Sequence, residues 1–322
     1  MLDYKEKGFF AQVPGMMEEI CEQELIEIGA INTKTTYRGI YFQADKKTLY
    51  KINYTSRMIS RVLAPLFSFH CSTSQNIIKF ARKVKWEDVC SLNKTFAISS
   101  SLNNSTITNS LYAAQSLKDG IADYFRAKYG RRPNVDTVNP DARFFLHIEK
   151  NKAVVSLDTS GESLHKRGYR LLSGAAPMQE TLAAAIIRLS GWNGQNTLLD
   201  PMCGSGTFLC EALMYYCRIP AQNLRKKFGF FNLPDFDRLT WKKVKSECDE
   251  KIRSLPRGIL RGSDKSQKTL EIAKDNLSRL PYSDAVDLSC NPFQHIKSFE
   301  NGTIIVNPPY GIRLGEIEQV KA

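Results

Sequence analysis

A chain of 322 residues with 42% hydrophobic and 24% charged content, carrying 17 Phe, 13 Tyr and 3 Trp, holds material for about two self-sufficient domains and excludes a mini-protein or a disordered tail. Lys and Arg number 45 against 33 Asp and Glu, and this excess of +12 draws the protein toward polyanions such as RNA, DNA or an acidic membrane surface. Up to residue 175 the tally is 25 basic to 17 acidic, and from residue 176 it is 20 to 16, so balances of +8 and +4 put most of the excess in the N-terminal half.

FFAQV reads as a short strand, PGMMEEICEQELIEIGA as an amphipathic helix with Met17, Ile20, Cys21, Leu25 and Ile28 on one side, and TTYRGIYFQA as a second strand. A helix from KKTLYKINYTS and a strand after Pro65 follow, and this alternation without long apolar runs predicts an α+β domain. A strand at residues 96–100, a helix over about residues 110–128, and the paired strands ARFFLHIEK and KAVVSLDTS, joined by a polar turn at Asn151, complete it at residue 161. Residues 162–176 are Gly-rich, basic and aperiodic, as a linker would be.

From residue 177 to 322 the pattern changes. NTLLDPMCGSGTFLCEALMYYC is a strand, a glycine turn and a helix; RGILRGSD and SQKTLEIAKDNLSRL are the next strand and helix; AVDLSC and GTIIVNPPYG are two further strands. That order predicts an open parallel sheet with right-handed crossovers, hence an α/β architecture, interrupted by a helical excursion over residues 218–257. Cys203, Cys210 and Cys217 recur every seventh position and read as buried thiols on one helical face. The four histidines show no zinc-hydrolase spacing, so no metal is expected. No apolar run approaches the ~20 residues of a membrane span, and MLDYKEKGFF lacks the apolar core of a secretory signal, so no membrane partner and a cytoplasmic location are expected.

Three segments carry chemistry. LLDPMCGSGT ends a buried strand at Asp200 and turns through Gly204 and Gly206 into a helix, where free N–H groups can hold the polar end of a small cofactor. Phe208 and Leu209 stand where a dinucleotide or phosphate loop needs glycine or lysine, which weakens both of those readings, and a tight strand-to-helix connection would use the same glycines. Asp264 ends the next strand, where a carboxylate can accept from both ribose hydroxyls or simply cap the following helix. Asn291, with Phe293 after it, offers an amide and a ring to an adenine. In IIVNPPYG, Pro308 and Pro309 remove two N–H donors and fix the backbone, so the Asn307 amide oxygen and the Pro308 carbonyl can accept both hydrogens of an exocyclic amine while Tyr310 stacks on its base. A strand ending in a proline turn is the competing explanation.

These residues resemble the THUMP-domain class I methyltransferases that use S-adenosylmethionine, and among them the bacterial 23S rRNA guanine-N2 methyltransferase group. The resemblance runs through FFAQVPGMMEEICEQEL, SRMISRVL, LKDGIADYFRAKYGRRPNVD, LDTSGESLHKRGYR, APMQETLAAAIIRLSGW, LLDPMCGSGT and NPPYGIRLGE. It implies a ferredoxin-like element and an RNA-binding THUMP domain over residues 1–161, and a Rossmann-like methyltransferase sheet over residues 177–322 that ends before the family's last strands. It further implies that Asp200, Cys203, Gly204, Gly206 and Thr207 form the cofactor loop, that Asp264 holds the ribose, and that Pro177, Glu180 and Thr181 close over the methionine end. Asn307, Pro308, Pro309 and Tyr310 would orient the target amine, whereas Asn291 stands where many such enzymes carry an acid. The expected RNA contacts are Arg131 and Arg132 in the N-terminal half and Lys166, Arg167 and Arg170 in the linker, with solvated faces or salt bridging as the alternatives. The implied partner is 23S rRNA, with tRNA or a non-catalytic role in RNA assembly as rivals.

Overall fold

The computed structural model describes residues 2–171, 178–296 and 298–308. The chain divides into two compact units, Met1–Leu164 with Arg225–Glu247, and His165–Leu224 with Cys248–Ala322.

The first unit opens with α1 (Tyr4–Lys7), β1 (Phe9–Gln12), α2 (Glu18–Ile28), β2 (Ile31–Thr36), β3 (Gly39–Gln43), α3 (Lys46–Thr55) and β4 (Arg61–His70). It continues with α4 (Ser74–Ala81), β5 (Phe96–Asn103), α5 (Ser110–Tyr129), β6 (Ala142–Glu149) and β7 (Lys152–Asp158). All seven strands join one sheet in the order β2-β3-β1-β4-β7-β6-β5, in which β4 pairs with β1 on one side and β7 on the other. Alternating burial along β6 sets one face of the sheet inward. Asp45 caps α3 by accepting from the Thr48 N–H, Asn109 does the same for α5, and Gly130 ends α5 in the left-handed region.

Two local readings are corrected here. TTYRGIYFQA is not one strand but the end of β2, a turn and β3, because Arg38 adopts φ 55 just before Gly39 and reverses the chain. Pro65 does not precede β4 but lies inside it, where the pairing with β7 shifts between Pro65 and Phe67; a bulge tolerates the missing N–H.

The second unit contains α6 (Glu180–Leu189), β8 (Leu198–Asp200) and α7 (Thr207–Tyr216). After α8 (Arg238–Asp249) come β9 (Leu260–Asp264), α9 (Gln267–Leu277), β10 (Asp287–Cys290) and β11 (Thr303–Ile304). The four strands are parallel in the order β10-β9-β8-β11. Cys203, Cys210 and Cys217 are all buried in its core with Leu209, Leu213 and Leu260. No described helix is long and apolar enough to cross a membrane.

The excursion between α7 and β9 belongs elsewhere than its place in the sequence suggests. Residues Arg225–Glu247 are part of the first unit, and the second begins at His165. Aromatic contacts explain the return: Phe230 stacks on Tyr50 with centroids 4.6 Å apart, and Trp241 meets Tyr54 edge-on at 5.3 Å. Phe230 also donates its N–H to the Thr159 carbonyl at 2.7 Å, and Tyr4 donates to Asp235 at 2.7 Å.

Candidate active site

In the order β10-β9-β8-β11 the chain runs outward from β8 to β9 and β10, then returns to the other side of β8 as β11. The gap at the carboxyl ends of β8 and β11 is therefore the switch point of the sheet, where open α/β folds accept ligands. Asp200 closes β8 there. Ile305 donates its N–H to the Leu199 carbonyl at 3.0 Å, which keeps the chain alongside β8 to within two residues of Asn307. Asn307 is half-buried and Pro308 exposed; Pro309 and Tyr310 lie outside the described residues.

The turn itself is held from the neighbouring strand. Cys203 donates its N–H to the Ser263 carbonyl at 2.9 Å, and Gly204 donates to Asp264 Oδ2 at 3.1 Å. Asp264 Oδ1 accepts from the Ser266 N–H at 2.9 Å, so the carboxylate both caps the approach to α9 and braces the turn. Gly204 has φ +53, and a Cβ there would meet nothing within 4 Å, so open space lies over the turn. Burial, with the nearby negative charge of Asp264 adding to it, pushes the Asp200 carboxyl up to about 7. Burial also raises the Cys203 thiol above its ordinary range, and its side chain is packed in the core, so only its backbone serves the turn. Asn291 is half-buried and ties to β9 by donating its N–H to the Asp264 carbonyl at 3.1 Å; Phe293 is exposed.

The expected RNA contacts separate into two groups. Arg131 and Arg132 are exposed after α5, and Lys166 is exposed as well. Arg167 is a correction: it is 2% exposed and pairs with Glu211 of α7, because a charge so deep can persist only beside its counter-charge. Arg170 is also turned inward, donating through Nη2 to the Met178 carbonyl at 2.9 Å and to Thr207 Oγ1 at 3.1 Å, and pairing with Glu180 at 3.1 Å. Among the basic clusters on the first unit, Arg82 pairs with Asp123, and Lys128 with Glu87. Pro177 lies outside the described residues; Glu180 and Thr181 begin α6, both buried.

Residues 8–63 match the RlmL ferredoxin-like domain, residues 71–158 the THUMP domain, and residues 167–322 the RMKL-like methyltransferase domain. A protein of Synechocystis sp., provisionally named an RNA methyltransferase, is 35% identical over 313 residues, covering 97% of this chain and 82% of its own length. The chain belongs to the THUMP-domain class I methyltransferases. A second member, the ribosomal RNA large subunit methyltransferase K/L of Vibrio parahaemolyticus, is 36% identical over 316 residues, and the chain spans 44% of that protein's length. A solved structure described as a provisional methyltransferase complexed with SAH superposes with a TM-score of 0.82 at 28% identity, covering 97% of this chain and 82% of that one.

Two buried polar residues that brace the glycine turn and the helix after it escaped the sequence reading. Asn276 of α9, 1% exposed, donates to the Ser205 carbonyl at 3.0 Å and accepts from the Leu171 N–H at 2.8 Å, tying the glycine turn to the segment before α6. Glu211 is fully buried and receives Arg167 and the Tyr169 hydroxyl. Their signals were an amide on the apolar face with Leu270, Ala273 and Leu277, and a lone acid in a helix otherwise apolar all round.

Proposed function

We propose that this chain carries the catalytic site of an S-adenosylmethionine-dependent RNA methyltransferase that modifies the exocyclic N2 of a guanine in 23S ribosomal RNA. What supports the reading is the switch point, where the strand leading toward Asn307 and the strand leading into the glycine turn are parallel neighbours. The residues fit the cofactor: open space lies over Gly204, the carboxyl end of β9 offers Asp264 to a ribose, and among the described residues the buried Thr181 hydroxyl has no hydrogen-bond partner at the expected methionine end.

Bound there, S-adenosylmethionine supplies a methyl group on a cationic sulfur. Asn307 Oδ1 and the Pro308 carbonyl accept the two hydrogens of the guanine amine, which turns its lone pair toward that carbon. Asp200 is buried, its carboxyl raised to about 7, and it shapes the turn by accepting from the Met202 N–H. The proton released after transfer goes to solvent, since the amine becomes acidic once it bears the added methyl and positive charge. Arg131, Arg132 and Lys166 present cationic groups to the RNA backbone, in keeping with the +8 balance of the N-terminal half.

Mass-spectrometric mapping of 23S rRNA and tRNA, from cells with and without the gene, tests this. Loss of one N2-methylguanine from 23S rRNA is the expected result. Loss from tRNA assigns the rival substrate, and unchanged RNA together with no calorimetric binding of S-adenosylmethionine assigns a non-catalytic assembly role.

A further inference from the structure

Arg170 was expected to touch RNA, yet its side chain is only 18% exposed and its contacts among the described residues are to Met178, Glu180 and Thr207 of the second unit. One Nη2 reaches three acceptors, the Met178 carbonyl and the Glu180 carboxylate at the entrance of α6, and Thr207 Oγ1 in the first turn of α7. Thr207 opens the helix that follows the glycine turn, and Glu180 opens the helix that precedes β8. A planar, permanently charged fork holds such acceptors in a fixed relation more firmly than a lysine ammonium can. Behind it, the Arg167–Glu211–Tyr169 cluster pins the same short segment to the middle of α7, so the backbone that delivers Arg170 is itself anchored.

The clamp is incomplete in an informative way. Arg170 Nε and Thr181 Oγ1 are both shielded from solvent and, among the described residues, have no hydrogen-bond partner. An unsatisfied buried donor costs about 1–3 kcal/mol, so these two groups beside one ion pair call for an acceptor that the described residues do not supply. An anionic group delivered at the entrance of α6 would meet that need. Burial raises the Glu180 carboxyl, and the charge of Arg170 works against that rise.

We infer that Arg170 is a positioning residue that locks the starts of α6 and α7 together and thereby forms the wall that receives the carboxylate end of S-adenosylmethionine. The inference rests on the cofactor reading above. The adenosine end, assigned there to Asp264, does not depend on it.

Calorimetric titration of the whole chain with SAH and with 5′-methylthioadenosine, which keeps the adenosine and lacks the amino-acid end, separates the possibilities. Arg170→Met is expected to weaken SAH by about tenfold to a hundredfold and 5′-methylthioadenosine by no more than about twofold. Arg170→Lys, which keeps one donor and the charge, is expected to recover part of the SAH affinity. The slope of RNA-hairpin affinity against salt is expected to stay as in the wild type. Equal loss of both nucleosides in both variants overturns the inference in favour of a purely structural role. Unchanged SAH binding with a salt slope smaller by about one overturns it in favour of a phosphate contact. A wild-type chain that binds neither nucleoside overturns the cofactor reading and this inference with it.

Discussion

Arg167 Nε lies 3.2 Å from Glu211 Oε1, with side-chain exposures of 1% and 0%, and the Tyr169 hydroxyl shares the same carboxylate oxygen at 3.1 Å. Both charges are out of water, so each is tolerable only because the other is present.

Removing one partner should therefore be far worse than removing both. Glu211→Ala is expected to cost about 3–5 kcal/mol in urea unfolding, and the pair Arg167→Met with Glu211→Leu to restore most of it. A double variant as unstable as the single one would show that packing, not charge, is at stake.

Asp200 gives a pH dependence of definite sign. Its carboxyl rises from an ordinary value near 3.8 to about 7 in the fold, so between those values the native state holds a proton that the unfolded chain has lost. This contribution is fully present at low pH and is lost as pH climbs through about 7. Asp200→Asn stays neutral and still accepts from the Met202 N–H. Urea midpoints should show its advantage over the wild type growing from about pH 5 to pH 8; a gap that does not change with pH contradicts the assignment.

Asn307→Ala removes one acceptor from the amine without touching the turn after β8. Transfer of methyl groups to rRNA should fall by about a hundredfold or more, while the dissociation constant for SAH stays within about twofold. Retention of full turnover would sink the proposed role of the Asn-Pro-Pro corner.

Phe230 is fully buried against Tyr50 and Phe228, and its loss should destabilise the first unit. Phe230→Ala is expected to cost about 3–5 kcal/mol, read as faster amide exchange in α3 and β7. By the same argument a fragment ending at residue 164 should be less stable than one to which residues 225–247 are appended through a flexible linker.

Most of the elements, the parallel character of the second sheet and the glycine turn are legible in the sequence, because each depends on residues within one or two turns of chain. The period of apolar residues specifies α2, α5 and α9, and strand, turn and helix follow directly in LLDPMCGSGTFLCEAL. The reversal at Arg38 was hidden because an arginine occupies a conformation that usually advertises itself as glycine or asparagine.

What the linear order could not decide is which charges and rings meet. HKRGYR reads as a basic surface, since the acid that neutralises Arg167 stands 44 positions away on α7 and the one that pairs Arg170 lies on α6. Likewise, the aromatic residues near Phe230 show apolar content without naming the core that will receive them. Composition and periodicity fix how much surface must leave water, but burial is not directional. Only the folded chain settles which partner each buried group finds, and at Arg167 and Arg170 that partner, not the residue's own charge, determines its role.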